Sequence, residues 1–459
     1  MPRPTPLSGF PEWLPAQRII EQRAIEILTR TFELHGFASV ATRAVEPLDQ
    51  LLRKGETSKE VYVLRRLHAD PEQASGDGDL GLHFDLTVPF ARYVLENAGH
   101  LSFPFKRYQI QPVWRGERPQ DGRFREFWQA DIDVVGEGSL PDHLEIDVPL
   151  IAAEALTALS EIGLPPVRVL VNDRRVAESF YRGVGLEAVD EVLRCVDKLA
   201  KIGRDGVAAL LRDELGASEA QVAATLDLAE LSGGVDVVER VRVLAIGAGV
   251  GRADPQHLAD LETGLSALER LLREAQVRAP GVVVADMSIA RGLDYYTGAV
   301  YETVLVGHEK LGSICSGGRY DSLASDGART YPGVGISIGL SRVLSRLFSA
   351  GLVTASRSVP TAVLVAVADE ESRSRSNQVA AQLRARGVPC DVAPAAAKFG
   401  KQIRYADRRG IPYVWFPGAP GEADAVKDIR SGDQVEADAT VWAPPAADWF
   451  PRAVVTASD

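Results

Sequence analysis

Apolar residues at Ile19, Ile20, Ala24, Ile25, Leu28 and Phe32 recur every three or four positions, the spacing that lines one face of a helix. The pattern predicts a helix over residues 17–32, stopped by Gly36 before a short strand. Between 105 and 135 the character changes. Two strand-like arms flank the charged segment 116–122, which begins and ends in glycine, so this region reads as a long antiparallel hairpin. Antiparallel pairing argues for an antiparallel-sheet core and against the parallel sheet of a dinucleotide-binding fold.

Residues 144–162 are rich in Ala and Leu and read as a helix. From about 174 to 276 helical patterns alternate with short breaks and no strand alternation, which suggests a helical insertion. Strand-like composition returns at Val282 and runs, with glycine clusters, to Ile338, followed by a helix over 339–348. A Ser-bearing stretch ending at Pro360 reads as a linker. Beyond it lies a β-α-β rhythm, with strands at 361–367, 390–392 and 413–416 and helices at 370–386 and 398–409. The expected organisation is a core over 1–350 interrupted by an insertion at 174–276, a linker at 351–360, and a small α/β domain over 361–459.

Composition narrows the class. At 459 residues the chain is too long for one ordinary core, and 46% hydrophobic with 25% charged residues describes a globular protein. No stretch approaches the roughly 20 apolar residues that span a bilayer, and the start is polar, so no membrane association and a cytoplasmic location are expected. Cys195, Cys315 and Cys390 are too scattered for a disulfide framework, and the seven histidines show no zinc-ligand spacing, so no metal held by the protein alone is expected. The net charge of −12 argues against nucleic-acid binding over the whole surface and requires any such contact to be local.

Three segments carry candidate chemistry. The hairpin loop gathers Arg115, Arg118, Arg123 and Arg125; several guanidinium forks on one loop suit a polyphosphate, while pairing with Glu117 and Glu126 would make it a solvated turn. The segment Ser288-Ile-Ala-Arg-Gly-Leu-Asp-Tyr-Tyr-Thr-Gly298 and the following Gly317-Gly-Arg-Tyr-Asp321 combine hydroxyls able to orient a small polar ligand with glycines that admit close approach. Alternatively, the glycine pair marks a tight bend, and Tyr295 and Tyr296 face opposite sides of a sheet. Finally, Pro332-Gly-Val-Gly-Ile-Ser-Ile-Gly-Leu-Ser-Arg342 is a glycine-punctuated strand running into a helix. Its spacing is not that of a nicotinamide fingerprint, and Arg342 is better suited to a phosphate or base contact.

Taken in order, Phe84-Asp-Leu-Thr-Val-Pro-Phe-Ala-Arg-Tyr93, the arginine hairpin, Arg291-Gly-Leu-Asp-Tyr-Tyr296, Gly317-Gly-Arg-Tyr-Asp321 and the 333–342 segment resemble the successive motifs of class II aminoacyl-tRNA synthetases, specifically the histidyl family. The resemblance implies an α+β protein: a class II antiparallel β-sheet catalytic core flanked by helices, with a helical insertion and a C-terminal α/β anticodon-binding domain. It implies that Arg115 and Arg291 flank the ATP α-phosphate. Glu117 would take the adenine amino group, Phe127 one adenine face, and Arg342 the other face with the γ-phosphate; Arg123 would reach the outer phosphates. Asp85, Thr87, Gln129 and Asp133 would hold the amino acid's charged backbone groups, with Tyr295, Tyr296 and Tyr320 around its imidazole. L-histidine, ATP with Mg2+, and the histidine tRNA would be the partners, the last reached in part through Lys398, Lys401, Arg404 and Arg408 on one basic helix. A homodimer is also implied. Arg43, Ser341 and Trp128 stand where the family commonly has proline, an acidic residue and histidine. A synthetase-like, non-catalytic histidine sensor of histidine biosynthesis is the alternative with the same fold.

Overall fold

A computed structural model describes residues 5–52, 60–65, 67, 79–120, 122–289, 296–325, 327–419 and 421–456. Contacts divide the chain into two units: residues 1–11, 26–160 and 164–346 form the first, and 12–25, 161–163 and 347–459 the second. The predicted first helix is Pro15–Leu34, and Gly36, with φ of 77°, turns the chain toward the strand Ala38–Ser39.

The first unit is built on a nine-stranded sheet. Its strands lie in the order Ala38–Ser39, Phe105–Trp114, Glu126–Val135, Gly333–Gly339, Cys315–Tyr320, Ala299–Leu305, Val167–Asp173, Val283–Asp286 and Ser232–Gly233. All pairings from Phe105–Trp114 across to Val167–Asp173 are antiparallel. The predicted hairpin is therefore real, and its arms pair without interruption from Phe105 opposite Val135 to Trp114 opposite Glu126.

The two faces of this sheet differ in chemistry because side chains alternate along each strand. Ala130, Ile132, Val134, Ile336 and Ile338 are buried on one face, against which the helix Leu144–Ala158 packs. Register then aligns polar residues on the other. One row runs Gln109, Asp131, Ser337, Ser316, Glu302; a second runs Arg107, Asp133, Gly335, Gly318. The helix Thr87–Asn97 covers one end of this polar face, with Phe90 and Val94 packed in a cluster that includes Tyr320 and Val135.

Residues 174–276, read as an insertion, begin with the helix Arg174–Gly183 and end within Pro255–Arg278. These two helices pack together, and the longer one also lies against the helix Leu144–Ala158 and the strands Val167–Asp173 and Val283–Asp286. Both ends of the segment thus help cover the sheet.

The second unit has a five-stranded sheet in the order Cys390–Val392, Val363–Val365, Tyr413–Phe416, Ala425–Asp428 and Gln434–Glu436. Its first three strands are parallel, as the β-α-β rhythm requires, and the helices Arg373–Ala385 and Phe399–Arg408 make the connections. Trp415 is fully buried there, and its indole N–H donates to Asp424 at 3.0 Å. The stretch 351–360 is more ordered than a linker: Val353–Ala355 is a strand paired with Ala453–Val455. Ser356, Ser358 and Pro360, which follow the strand, hid a run of only three residues. Among the described residues, no helix is long and apolar enough to cross a membrane.

Candidate active site

The polar face opens into two connected cavities. The deeper, of about 80 Å³, is lined by Asp85, Thr87, Asp131, Asp133 and Tyr320. Next to it lies a cleft of about 290 Å³ lined by Glu117, Arg123, Phe127, Glu302 and Arg342. Arg115, Gln129, Tyr296, Ser316 and Ser337 belong to both. The structure therefore brings together every predicted site residue that it describes in the first unit. Ala290, Arg291, Gly292, Leu293, Asp294 and Tyr295 lie outside the described residues, and the expectations for Arg291 and Tyr295 with them.

At the mouth of the deep pocket, Asp85 accepts a hydrogen bond from the backbone N–H of Val88 at 3.1 Å, satisfying a donor at the start of the helix Thr87–Asn97. That helix end carries partial positive charge and supports the carboxylate. Deeper, Asp133 is ion-paired to Arg107 at 2.7 Å and accepts from the Tyr320 hydroxyl at 2.7 Å. Arg107 is completely buried, stacked 4.4 Å over the Phe90 ring. Among the described residues, two of its nitrogens, Nε and Nη1, have no hydrogen-bond partner, and neither does one oxygen each of Gln129 and Asp131. Buried polar atoms left this way are costly, so a polar ligand entering the pocket has groups to satisfy.

Burial pushes the Asp131 carboxyl up to about 7, with the nearby Asp133 charge adding to the rise; the Arg107 guanidinium and the Ser337 hydroxyl oppose it. Gln129 in turn donates to that hydroxyl at 2.8 Å. Gly335 and Gly318 are required by closeness. A Cβ at Gly335 would stand 2.0 Å from Asp133 Oδ1, and one at Gly318 would stand 2.9 Å from the Tyr296 ring. The glycine pair is thus no bend but the middle of a strand that leaves room for a pocket wall.

In the cleft, Arg115 is braced through Nε, which donates to the Phe84 carbonyl at 2.9 Å, and its guanidinium lies 5.1 Å from the Phe127 ring centre. Glu117 sits between Arg115 at 3.8 Å and Arg123 at 3.4 Å. Arg342, in the first turn of the helix Leu340–Ser349, donates to the Leu311 carbonyl. Of the four loop arginines, Arg118 and Arg125 do not line the cleft, and Arg125 is held by the Glu117 carbonyl at 3.2 Å. Among the described residues Glu126 pairs with no arginine; it accepts from the Trp114 indole at 2.8 Å. At the departures from the family pattern, the Ser341 hydroxyl accepts from the Trp128 backbone N–H at 2.9 Å, and Arg43 pairs with the buried Glu46 at 3.1 Å.

Sequence reasoning passed over Arg107, Asp131, Ser337 and Glu302. A signal for the first two was present: Arg107, Gln109, Gln111 and Gln129, Asp131, Asp133 repeat every second residue on the two hairpin arms, marking one polar face. In the second unit, Lys398, Lys401, Arg404 and Arg408 lie on and beside the helix Phe399–Arg408, are exposed, and make no ion pair among the described residues.

An antiparallel sheet with a carboxylate-lined pocket leading into an arginine-walled cleft, with Arg115 on the boundary, defines the catalytic core of a class II aminoacyl-tRNA synthetase. Residues 9–343 match the family model for histidyl-tRNA synthetase, and 361–438 match an anticodon binding domain. The chain belongs to the histidyl-tRNA synthetase family. It is 56% identical to the histidine–tRNA ligase of Cutibacterium acnes over 99% of this chain and 100% of that one. It is likewise 56% identical to the Micrococcus luteus histidine–tRNA ligase, over 98% and 99%. The crystal structure of histidyl-tRNA synthetase from a Nostoc species superimposes with a TM-score of 0.83 at 34% identity, covering 96% of this chain and 97% of that one.

Proposed function

We propose that the chain activates L-histidine with ATP, releasing pyrophosphate, and then transfers histidine from the adenylate to the 3′ end of its tRNA. The observation that carries this reading is the continuity of two chemically distinct cavities through Arg115. Asp85, Thr87, Gln129 and Asp133 hold the amino acid's charged backbone groups, and Tyr295, Tyr296 and Tyr320 surround the imidazole. Phe127 and Arg342 take the two faces of adenine, Glu117 its amino group, and Arg123 the outer phosphates.

Two anions must then meet, because the histidine carboxylate attacks the α-phosphorus while pyrophosphate departs on the far side. Arg115 and Arg291 neutralise the carboxylate and the transition state and hold them in line, so positioning and electrostatics supply the catalysis and no protein nucleophile is needed. In the second step the terminal ribose hydroxyl of the tRNA attacks the adenylate carbonyl and AMP leaves. A pocket that hydrogen-bonds a polar ring leaves buried groups unpaired with the wrong amino acid, which supports selectivity of about 10⁴ without a separate editing site.

Magnesium fits this site as a companion of ATP. Among the described residues there is no group of three histidine, cysteine or carboxylate ligands able to hold a metal, whereas Glu117 and Glu302 line the cleft beside the phosphate-binding arginines. Glu302 and water would hold the ion there, and its charge would offset that of the phosphates.

Basic residues on the helix Phe399–Arg408 give the acidic chain a local surface for the tRNA backbone. A cytoplasmic homodimer completes the reading, testable by sedimentation. Full-length relatives with the ligase name and an anticodon-binding match both favour this function over a histidine sensor. Histidine-dependent exchange of labelled pyrophosphate into ATP, followed by charging of purified tRNA, is the test. No exchange overturns the enzyme, and exchange without charging overturns the tRNA step.

A further inference from the structure

A third cavity extends the series. It is a basin of about 800 Å³ that shares Arg123 and Arg342 with the cleft, as the cleft shares Arg115 with the deep pocket. The polarity along this line reverses. The deep pocket carries Asp85, Asp131 and Asp133, while the basin is lined by Lys201, Lys310 and Arg346 in addition to the two shared arginines. Glu309 is the basin's one carboxylate among its described lining residues, and it is occupied by the Gly307 backbone N–H at 2.9 Å. Five cations against one anion stand out in a chain whose net charge is −12.

The cations are not all held alike. Arg346 Nη2 lies 2.9 Å from His308 Nδ1; the guanidinium is permanently protonated, so this ring nitrogen is the acceptor and Arg346 is aimed by it. Arg342 is braced by the Leu311 carbonyl. Lys201 and Lys310 are exposed and make no ion pair among the described residues, leaving two ammonium groups for a mobile anion.

This inference rests on the proposed reaction. In-line displacement puts nucleophile and leaving group on opposite sides of the phosphorus. The amino acid enters from the carboxylate pocket, so pyrophosphate leaves toward the other end of the cleft, which is walled by Arg123 and Arg342 and opens into the basin. We propose that the basin is the exit site for pyrophosphate, with Lys201, Lys310 and Arg346 taking the anion from the two arginines of the cleft. Graded positive charge draws a multivalent anion outward without trapping it at the reacting phosphorus.

The test compares the full chain with a Lys201→Ala/Lys310→Ala variant, both exposed positions outside the reacting cleft, using inorganic pyrophosphate in the exchange reaction. The KM for pyrophosphate should rise roughly tenfold at low salt and less at high salt, the sum of two weakly screened ion contacts. The KM values for histidine, ATP and tRNA should stay within a factor of two or so, since neither lysine touches those cavities. Lys201→Arg/Lys310→Arg should restore the pyrophosphate KM. An unchanged pyrophosphate KM at low salt overturns the exit site. So does a rise confined to the KM for tRNA, which would assign the basin to acceptor-strand phosphates. Absence of exchange in the unaltered chain would instead defeat the proposed reaction itself.

Discussion

Replacing Gly335 by alanine tests whether the carboxylate-lined pocket, proposed to take histidine, depends on one missing methyl group. The added Cβ would lie 2.0 Å from Asp133 Oδ1, 2.5 Å from its Cγ and 2.9 Å from the Ile132 carbonyl oxygen. The carboxylate must retreat by about 1 Å or more to reach ordinary contact, but it is held by Arg107 and by the Tyr320 hydroxyl, each at 2.7 Å. Overpacking alone costs about 1–3 kcal/mol, and a broken buried ion pair costs about 3–5 kcal/mol because Arg107 is left buried without its counter-charge. A destabilisation of about 3 kcal/mol is therefore expected, visible as a lower denaturant midpoint at unchanged slope. In pyrophosphate exchange the KM for histidine should rise at least about tenfold, equivalent to 1.4 kcal/mol, while the KM for ATP changes little because Phe127 and Arg342 lie in the neighbouring cleft. Gly247→Ala is the control: its Cβ meets open space within a helix, and the change should be neutral or stabilise by up to about 1 kcal/mol. Wild-type stability and histidine KM in the Gly335→Ala protein would refute the assignment of Asp133 and Gly335 to a single tightly packed wall.

Arg115→Lys keeps the charge but loses the planar fork braced on Phe84, and exchange should drop at least about 100-fold with an unchanged circular dichroism spectrum; a drop below tenfold removes Arg115 from the transition state. Burial raises the Asp131 carboxyl from 3.8 to about 7, so the native state holds that proton more tightly than the unfolded chain does. This contribution to stability is complete below about pH 4 and is lost as pH rises to about 7, an effect of up to about 4 kcal/mol. Asp131→Asn should flatten the stability profile over that interval, and denaturant curves with the same pH slope as wild type would contradict it. Neutralising Lys398, Lys401, Arg404 and Arg408 together should raise the KM for tRNA and lower its salt dependence by up to about three units of log–log slope, leaving exchange untouched. An unaltered salt slope would move the tRNA surface elsewhere.

Much of the chemistry was legible in residue order alone. The arginine hairpin, the doublet Gly317-Gly318 and the run from Gly333 to Arg342 are local patterns, and local pattern is enough to predict a hairpin, a close approach and a strand entering a helix. Alternation on the hairpin arms even determined that Arg107, Gln109 and Gln111 share a face, because a strand's period of two is a property of the backbone. What lay across from that face was not legible. Glu126–Val135 pairs with Gly333–Gly339, some 200 residues later in the chain, and only this register sets Asp131 beside Ser337 and Asp133 against Gly335. The unsatisfied oxygens of Gln129 and Asp131, the raised Asp131 carboxyl and the wall of the deep pocket depend on that pairing. Strand-to-strand choice over such distances is decided by the packing of the entire sheet and its covering helices, a cooperative quantity that no window of sequence contains. The chain's own order of residues thus determined which groups could do the chemistry, and tertiary pairing decided which of them meet.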